Sequence, residues 1–121
     1  MGYTFSAGFS LNVIGEIVNT LCRIKNDTAR GLAFDFLIAF LRKRNIKIYG
    51  FTEKHIELFH ELRDLDNRVD TSNLLALTVA IDEHAGVFIT FNRDILESEK
   101  LNSRSFRRKY GVKIKQPIKF S

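Results

Sequence analysis

Residues 69–96 decide the fold and read VDTSNLLALTVAIDEHAGVFITFNRDIL. The stretch opens with Asp70, Thr71, Ser72 and Asn73, which all favour the position before a helix, and apolar residues recur behind them at helical spacing. The pattern predicts a helix that begins near Ser72. We expect His84 and Gly86 to end it, because an imidazole can meet exposed carbonyls and glycine accepts the left-handed conformation that stops a helix.

A short strand follows this helix. Residues 87–91 are all β-branched or aromatic, which predicts a buried strand covered on both faces. Asn92 and Asp94 come directly after it. Because parallel α/β sheets bind ligands at the carboxyl ends of their strands, these two residues and the start of the preceding helix are expected to form one wall of a site. Thr90 is expected to bond a neighbouring acid there.

The rest of the chain alternates helices with short strands, which predicts an α/β fold with a parallel sheet. The chain has 121 residues, one proline and no low-complexity stretch, so we expect residues 1–121 to form a single domain. The expected elements outside the central stretch are helices over 10–25, 28–44 and 53–65 and a strand over 46–49.

Composition places the chain among cytoplasmic proteins. Cys22 is the only cysteine, which excludes an intrachain disulfide, and its place on the apolar side of a helix predicts a small core residue. The most apolar run, residues 32–41, is interrupted by Asp35 and is shorter than the roughly 20 residues that span a bilayer. We therefore expect no membrane segment.

The basic residues are concentrated at the end of the chain. The whole chain has a net charge of +5, and residues 97–121 alone contribute +6. Phe106 and Tyr110 are interleaved with a cluster of basic side chains, a composition that suits phosphate contacts and base stacking. The alternative is a solvated helix end and a charged edge strand. The cluster comprises Arg104, Arg107, Arg108 and Lys109.

Several of these motifs resemble the PIN domain, the nuclease fold of VapC-type toxins. In that family an acid opens a helix and the next strand ends in Thr-x-Asp or Thr-x-Asn; here Asn73 stands at the helix-opening position, Asp70 lies three residues before it, and Thr90-Phe-Asn92-Arg-Asp94 matches the strand end. Residues 10–16, with Ser10 and Glu16, are similar to the family's serine-capped helix. Residues 110–117 are similar to its last strand. The resemblance covers nearly the whole chain and implies a three-layer α/β/α fold.

The beginning of the chain departs from the family. A PIN domain opens with a strand that ends in Asp-Thr-Asn, but no acidic residue occurs here before Glu16. The chain is therefore expected to be a PIN-like fold abbreviated at the N-terminus. A gene start assigned too late, deliberate trimming and a sheet completed by a partner all remain open. Alternatively, residues 3–9 occupy the first-strand position without its acid.

The resemblance implies a divalent-metal-dependent ribonuclease, with Mg²⁺ or Mn²⁺ as cofactor and RNA, an antitoxin protein and a second copy as partners. It assigns Glu16, Asp70 and Asp94 as metal ligands, with Asn73 an alternative third ligand and Asn92 a positioner of water or phosphate. Because asparagines replace two possible acids, we expect weak metal binding and little activity from this chain alone.

Arg93 joins the basic cluster as an expected RNA contact.

Two other hypotheses for the function remain. In the first, the chain is a degenerate PIN-like module that binds RNA or protein without cutting. In the second, it is a small assembly protein in which the polar residues only cap helices.

Overall fold

A computed structural model describes residues 7–117, which form six helices and four short strands. The fold is α/β, and every strand pairs in parallel, as the sequence predicted. The chain packs as two compact units that divide between Gly50 and Phe51. In chain order the elements are β1 (Gly8–Ser10), α1 (Leu11–Cys22), α2 (Asp27–Lys43), β2 (Lys47–Tyr49), α3 (Glu53–Leu65), α4 (Thr71–Asp82), β3 (Val87–Ile89), α5 (Arg93–Leu96), α6 (Arg104–Tyr110) and β4 (Lys113–Lys115).

The N-terminal unit is a two-stranded parallel sheet with two helices. Gly8 pairs with Lys47 in register, and the ring of Tyr49 lies so close to Gly8 that a Cβ there would collide with it. The close approach explains why glycine stands at this position. Helix α1 packs against α2 and both strands, but no residue of either helix is fully buried. Cys22 is exposed, so the prediction that it is a core residue is wrong.

The C-terminal unit contains the hydrophobic core. Helices α3 and α4 pack against each other, and β3 pairs in parallel with β4. The core draws on every helix of this unit and on the segments between them, so the unit buries a continuous apolar cluster. Its buried members are Leu62, Val69, Leu74, Leu77, Ile81, Ile95, Leu101, Phe106 and Val112.

Helix α4 supplies much of that core because it is apolar on most of its circumference. It begins at Thr71, one residue before the predicted start, with Asp70 as its N-cap. His84, with a φ of 58°, takes the left-handed conformation after the helix, whereas Gly86 does not, so the prediction assigned that role to the wrong residue. Histidine tolerates this conformation better than most side chains do.

Strand β3 is much more exposed than the sequence predicted. Val87 is 46% exposed, Ile89 62% and the following Phe91 69%. The backbone of Gly86 and Thr90 bonds to β4, so the alternating groups of Val87 and Ile89 face the other edge of the sheet. The prediction of a strand covered on both faces is wrong, because Phe88 packs against the core while Val87 and Ile89 are exposed. Within residues 7–117, β3 also has a neighbouring strand on one edge only. Within the same range, no helix combines the length and the apolar character that crossing a bilayer requires.

Candidate metal and nucleic-acid site

Asp70, Asn73 and Asn92 form a hydrogen-bonded cluster in the C-terminal unit. Asp70 Oδ1 accepts hydrogen bonds from Asn73 Nδ2 at 2.8 Å and from Asn92 Nδ2 at 3.3 Å. Asp70 Oδ2 accepts from the Asn73 backbone N–H at 3.2 Å. The bond to Asn92 joins residues 22 positions apart in the chain. The start of α4 and the carboxyl end of β3 therefore meet, as the sequence predicted.

Local backbone structure holds each member of this cluster. Asp70 follows the buried Val69, whose carbonyl accepts a hydrogen bond from Arg63 Nη1. Asn92 is the N-cap of α5, with Oδ1 accepting from the Ile95 N–H at 2.9 Å. Since Oδ1 is committed to that cap, the amide Nδ2 is turned toward Asp70.

Thr90 fixes the strand end. Its Oγ1 accepts a hydrogen bond of 3.0 Å from the backbone N–H of Asn92, and its side chain is buried. The sequence predicted that this hydroxyl would bond a neighbouring acid, and the prediction is wrong. The threonine instead shapes the turn that presents Asn92 to Asp70.

The electrostatics of the cluster limit what it can bind. Asp70 supplies one negative charge and already accepts three hydrogen bonds, one from a backbone N–H and two from the side-chain amides of Asn73 and Asn92. Mg²⁺ and Mn²⁺ bind carboxylate and other oxygens, not amide N–H groups. The cluster by itself therefore resembles an ordinary group of hydrogen-bonded polar side chains more than a divalent-cation site. Further carboxylates would have to join Asp70 to hold a divalent cation.

Asp94 and Arg93 are exposed in the first turn of α5. Asn92, not Asp94, caps this helix, so the carboxylate of Asp94 is not used as the cap. Arg93 Nε lies 3.7 Å from Glu97 Oε1, an exposed pair. The negative charge of Asp94 is one of the influences that raise the pKa of Arg68, after the larger contribution of Asp66.

Glu16 lies in α1 of the N-terminal unit and is exposed. Its backbone carbonyl accepts a hydrogen bond from Thr20 Oγ1 at 3.0 Å. Ser10 is the N-cap residue of this helix, as predicted, but its hydroxyl is buried and makes no hydrogen bond with any described residue. The metal-ligand role of Glu16 stays a prediction.

A second polar cluster, not predicted from the sequence, consists of His55, Asp82 and Glu83. Their ligand atoms lie within 4.8 Å of one another, and His55 is 3% exposed. His55 Nε2 is 3.0 Å from Asp82 Oδ2. The cluster is at the opposite end of α4 from Asp70, about 18 Å away for a helix of 12 residues, so the two places cannot share an ion.

The hydrogen bonding of His55 argues against a metal in this second cluster. Nδ1 accepts the backbone N–H of Thr52 at 2.8 Å, as half of a capping box at the start of α3. A neutral imidazole that accepts at Nδ1 carries its proton on Nε2, which leaves no lone pair there for a cation. Sequence analysis missed this role because the capping box usually has Glu or Gln where His55 stands.

Helix α6 presents the predicted basic cluster to solvent. Arg104, Arg107, Arg108 and Lys109 are all exposed. Phe106 is buried in the core at 3% exposure, so the prediction that it is free to stack on bases is wrong. Tyr110 packs on Phe106 with ring centroids 4.6 Å apart and donates a hydrogen bond to Glu61. Burial and the Glu61 carboxylate raise the pKa of Tyr110.

Comparison with known proteins supports the fold. No protein-family model and no curated protein matches the chain. A solved structure of VapBC2 from Rickettsia felis, bound to a DNA fragment from its promoter, is similar with a TM-score of 0.60 and 22% sequence identity. The similarity covers 92% of this chain and 74% of that chain. The α/β fold class predicted from the sequence is confirmed and is consistent with a PIN-like fold.

Proposed function

We propose that this protein is a PIN-like, divalent-metal-dependent ribonuclease and the toxin of a toxin–antitoxin pair. The observation that carries the proposal is the contact of Asp70 with Asn92, which joins the start of α4 to the end of β3 in a fold similar to that of VapBC2. These are the positions at which the PIN resemblance expects metal ligands. The antitoxin is the partner that the VapBC2 likeness suggests.

Each polar residue has a proposed role. Asp70 and Asp94 are carboxylate ligands of Mg²⁺ or Mn²⁺ in the C-terminal unit, and Asn73 and Asn92 orient water or phosphate through their amides. Glu16 is assigned as a ligand from the resemblance. A bound ion would lower the pKa of a water molecule and offset charge on the attacked phosphate. The exposed cations of α6 would guide the RNA through its phosphates.

Weak metal binding is part of the proposal. Mg²⁺ is held chiefly by carboxylate oxygens, and Asp70 is the one carboxylate in its hydrogen-bonded cluster. Two unit charges about 4 Å apart attract each other by about 4 kcal/mol at an effective dielectric near 20. Each missing carboxylate removes an attraction of that order from the cation. We therefore expect cleavage that needs millimolar rather than micromolar cation.

Cleavage of single-stranded RNA in Mn²⁺ tests the proposal. Activity that disappears in chelator and falls at least about tenfold in each of Asp70→Asn, Asp94→Asn and Glu16→Gln supports it. Glu57→Gln, an exposed acid of α3, is the matched control and should leave the rate unchanged. Cleavage that survives all three substitutions would show that another protein or another site is responsible.

A second candidate is a PIN-like module that binds RNA without cutting it. The two amides that face Asp70 favour it, because they satisfy the carboxylate without a cation. RNA binding that is unchanged by chelator and by Asp70→Asn, with no cleavage at any Mn²⁺ concentration, would select this candidate.

A further inference from the structure

Strands β3 and β4 form a small sheet with one covered face and one open face. Phe88 and Ile114 pair in register, and both pack against the hydrophobic core of the C-terminal unit. Successive side chains of a strand point to opposite faces, so the residues on either side of this pair point away from the core. These neighbours are all exposed, which leaves the second face of the sheet open to solvent.

The open face carries an apolar row beside a basic row. In the apolar row, Val87 is 46% exposed, Ile89 62% and Phe91 69%. Val87 pairs in register with Lys113 and Ile89 with Lys115, and both lysines are exposed. We call these five residues the β3–β4 face.

Phe91 continues the apolar row beyond the last residue of β3. The backbone N–H of Thr90 donates a hydrogen bond of 3.0 Å to the carbonyl of Lys115, so the pairing of the two strands extends past Ile89. Thr90 is buried and Phe91 is exposed, which continues the alternation of the strand. Phe91 directly precedes Asn92, whose side-chain amide donates a hydrogen bond to Asp70. The apolar row therefore ends at the proposed site.

The chemistry of the two rows fits a single strand of nucleic acid. An exposed aromatic ring stacks on bases with little regard to their sequence, and lysines bind phosphates as point charges. Lys113 and Lys115 form no ion pair with any carboxylate within residues 7–117, so both charges are available to a ligand. Members of each row are two residues apart, about 6.6 Å along a strand, so a polynucleotide lying along the sheet meets them in turn.

A protein partner fits the β3–β4 face less well. Each side of a stable protein interface contributes about 20–30 residues, whereas this face has two rows of at most three side chains. The centres of such interfaces are also poor in charged residues, and lysine is depleted there. An apolar row with lysines alongside instead matches a ligand in which bases alternate with phosphates.

We infer that the β3–β4 face binds single-stranded RNA, with a base stacked on the ring of Phe91 and backbone phosphates contacted by Lys113 and Lys115. The inference rests on the proposed function for the choice of RNA as ligand. It concerns binding, so it does not require that the protein cleave the RNA. A base stacked on Phe91 lies next to Asn92, and the face thereby feeds the strand toward the Asp70 cluster.

Fluorescence anisotropy with a labelled oligouridylate of about ten nucleotides tests the stacking residue. The titration is made in chelator, which prevents metal-dependent cleavage and separates binding from the proposed function. Phe91→Ala should weaken binding by about 5- to 150-fold, and Phe91→Leu by a similar factor, because leucine keeps apolar surface but has no ring on which a base can stack. Phe91→Trp should retain the affinity of the original chain.

Phe36→Ala is the matched control for the stacking residue. Phe36 is 75% exposed on α2 of the N-terminal unit, so its loss should leave the affinity for the oligouridylate unchanged. A 2-aminopurine base in the oligonucleotide gives a second measurement. At saturating protein its fluorescence should be quenched by the original chain and not by Phe91→Ala, a difference that weaker binding alone does not produce. Circular dichroism checks that each variant folds.

Lys113→Gln with Lys115→Gln tests the basic row. The two lost phosphate contacts should reduce the slope of log affinity against log salt by about 1.4, whereas Phe91→Ala should leave this slope unchanged. Lys43→Gln with Lys54→Gln removes the same charge from α2 and α3 and is the control. It should change the slope much less.

Three results would overturn the inference. They are an affinity for RNA that Phe91→Ala does not change, an equal change of slope in the two lysine pairs, and binding to anionic lipid vesicles without binding to RNA. The absence of cleavage in Mn²⁺ would overturn the proposed nuclease instead, and the binding measurements in chelator would still decide the role of the β3–β4 face.

Discussion

Ser98 Oγ donates a hydrogen bond of 2.6 Å to Asp66 Oδ2, joining residues 32 positions apart in the chain. Asp66, at 6% exposure, also accepts hydrogen bonds from the side chain of Arg68 at 3.2 and 3.1 Å. Arg68, and then Ser98, hold the pKa of Asp66 well below its usual value despite burial, which acts in the opposite direction. The ionised carboxylate therefore fastens the end of α3 to the segment that follows α5.

This depressed pKa predicts a loss of stability in acid. The unfolded state binds the proton of Asp66 near pH 4, whereas the folded state resists it to a lower pH. The contribution of Asp66 is thus complete above the unfolded pKa and declines as the pH falls below it. We expect Asp66→Asn to lower the free energy of unfolding by about 2–4 kcal/mol at pH 7 and by less at pH 3, measured by urea denaturation.

Asp64 provides the control for this measurement. It lies in the last turn of α3, two residues before Asp66, and its side chain is 72% exposed, with Oδ2 4.0 Å from His60 Nδ1. Asp64→Asn should change the free energy of unfolding by less than about 0.5 kcal/mol at either pH. An equal effect of the two substitutions would mean that the buried hydrogen bonds of Asp66 add nothing to stability.

A carboxylate in place of Asn92 should strengthen cation binding. The amide of Asn92 now points at Asp70 from 3.3 Å, so Asn92→Asp puts a second negative charge beside the first. We expect Mn²⁺ affinity to rise by about fivefold or more, because each added charge near a cation is worth at least about 1 kcal/mol even in water. Calorimetric titration with Mn²⁺ measures the change.

The same substitution should weaken the fold when cations are removed. Two carboxylates then repel each other, so the Tm in chelator should fall and should recover when Mn²⁺ is added. Glu57→Asp serves as a control without a change of charge. If Asn92→Asp binds Mn²⁺ no better than the original chain, the Asp70 cluster is not part of a cation site.

The sequence predicted those parts of the molecule that depend on local signals. Helix α3 begins and ends where predicted, and Asp70 lies at the start of α4 as expected, since residues that cap helices act on their own neighbours. The exposure of Ile89 and Cys22 was not predicted, because an apolar pattern shows that a residue suits a core without showing what covers it.

Contacts between residues that are distant in the chain could not be predicted from the sequence either. His55 meets Asp82, and Asp66 meets Ser98, through the packing of separate elements. Nothing in the local composition distinguishes these side chains from exposed ones of the same type. The contact of Asp70 with Asn92 was the exception, because the family resemblance pointed to both positions.

The basic side chains of α6 should govern RNA affinity in a salt-dependent way. Arg107→Gln with Arg108→Gln removes two exposed cations, and each lost phosphate contact should reduce the slope of log affinity against log salt by about 0.7 for a single strand. Filter binding at several salt concentrations measures the slope. As a control, Arg23→Gln with Lys54→Gln removes the same charge elsewhere on the protein. If this pair reduced the slope of log affinity against log salt equally, net charge alone would account for the attraction of RNA.

Gly111 should resist substitution because of its backbone. It ends α6 with a φ of 70° and donates a hydrogen bond of 2.8 Å to the Arg107 carbonyl. A Cβ at this position would meet nothing within 4 Å, so the cost of Gly111→Ala is that of the left-handed conformation alone, about 1–2 kcal/mol. Gly111→Asn should cost less, since asparagine tolerates this conformation.

Gly86 is the matched control for Gly111. It also has open space around its Cα, but its φ is not in the left-handed range. Gly86→Ala should therefore leave the free energy of unfolding unchanged or raise it slightly, by restricting the unfolded chain. Equal destabilisation by the two alanines would show that the ending of α6 does not depend on glycine.

The open edge of β3 should make the protein prone to aggregate. Within residues 7–117, β3 pairs along one edge only, and Val87 and Ile89 direct their backbone groups to the other edge. Their side chains are exposed and apolar, with no charged residue in the strand. Natural sheets protect such edges with charged side chains, above all lysine. Ile89→Lys should slow aggregation on heating, followed by light scattering, and change the free energy of unfolding by less than about 1 kcal/mol because Ile89 is 62% exposed. Ile56→Lys introduces the same change at an exposed helical position, and an equal benefit there would attribute the effect to net charge and not to the edge.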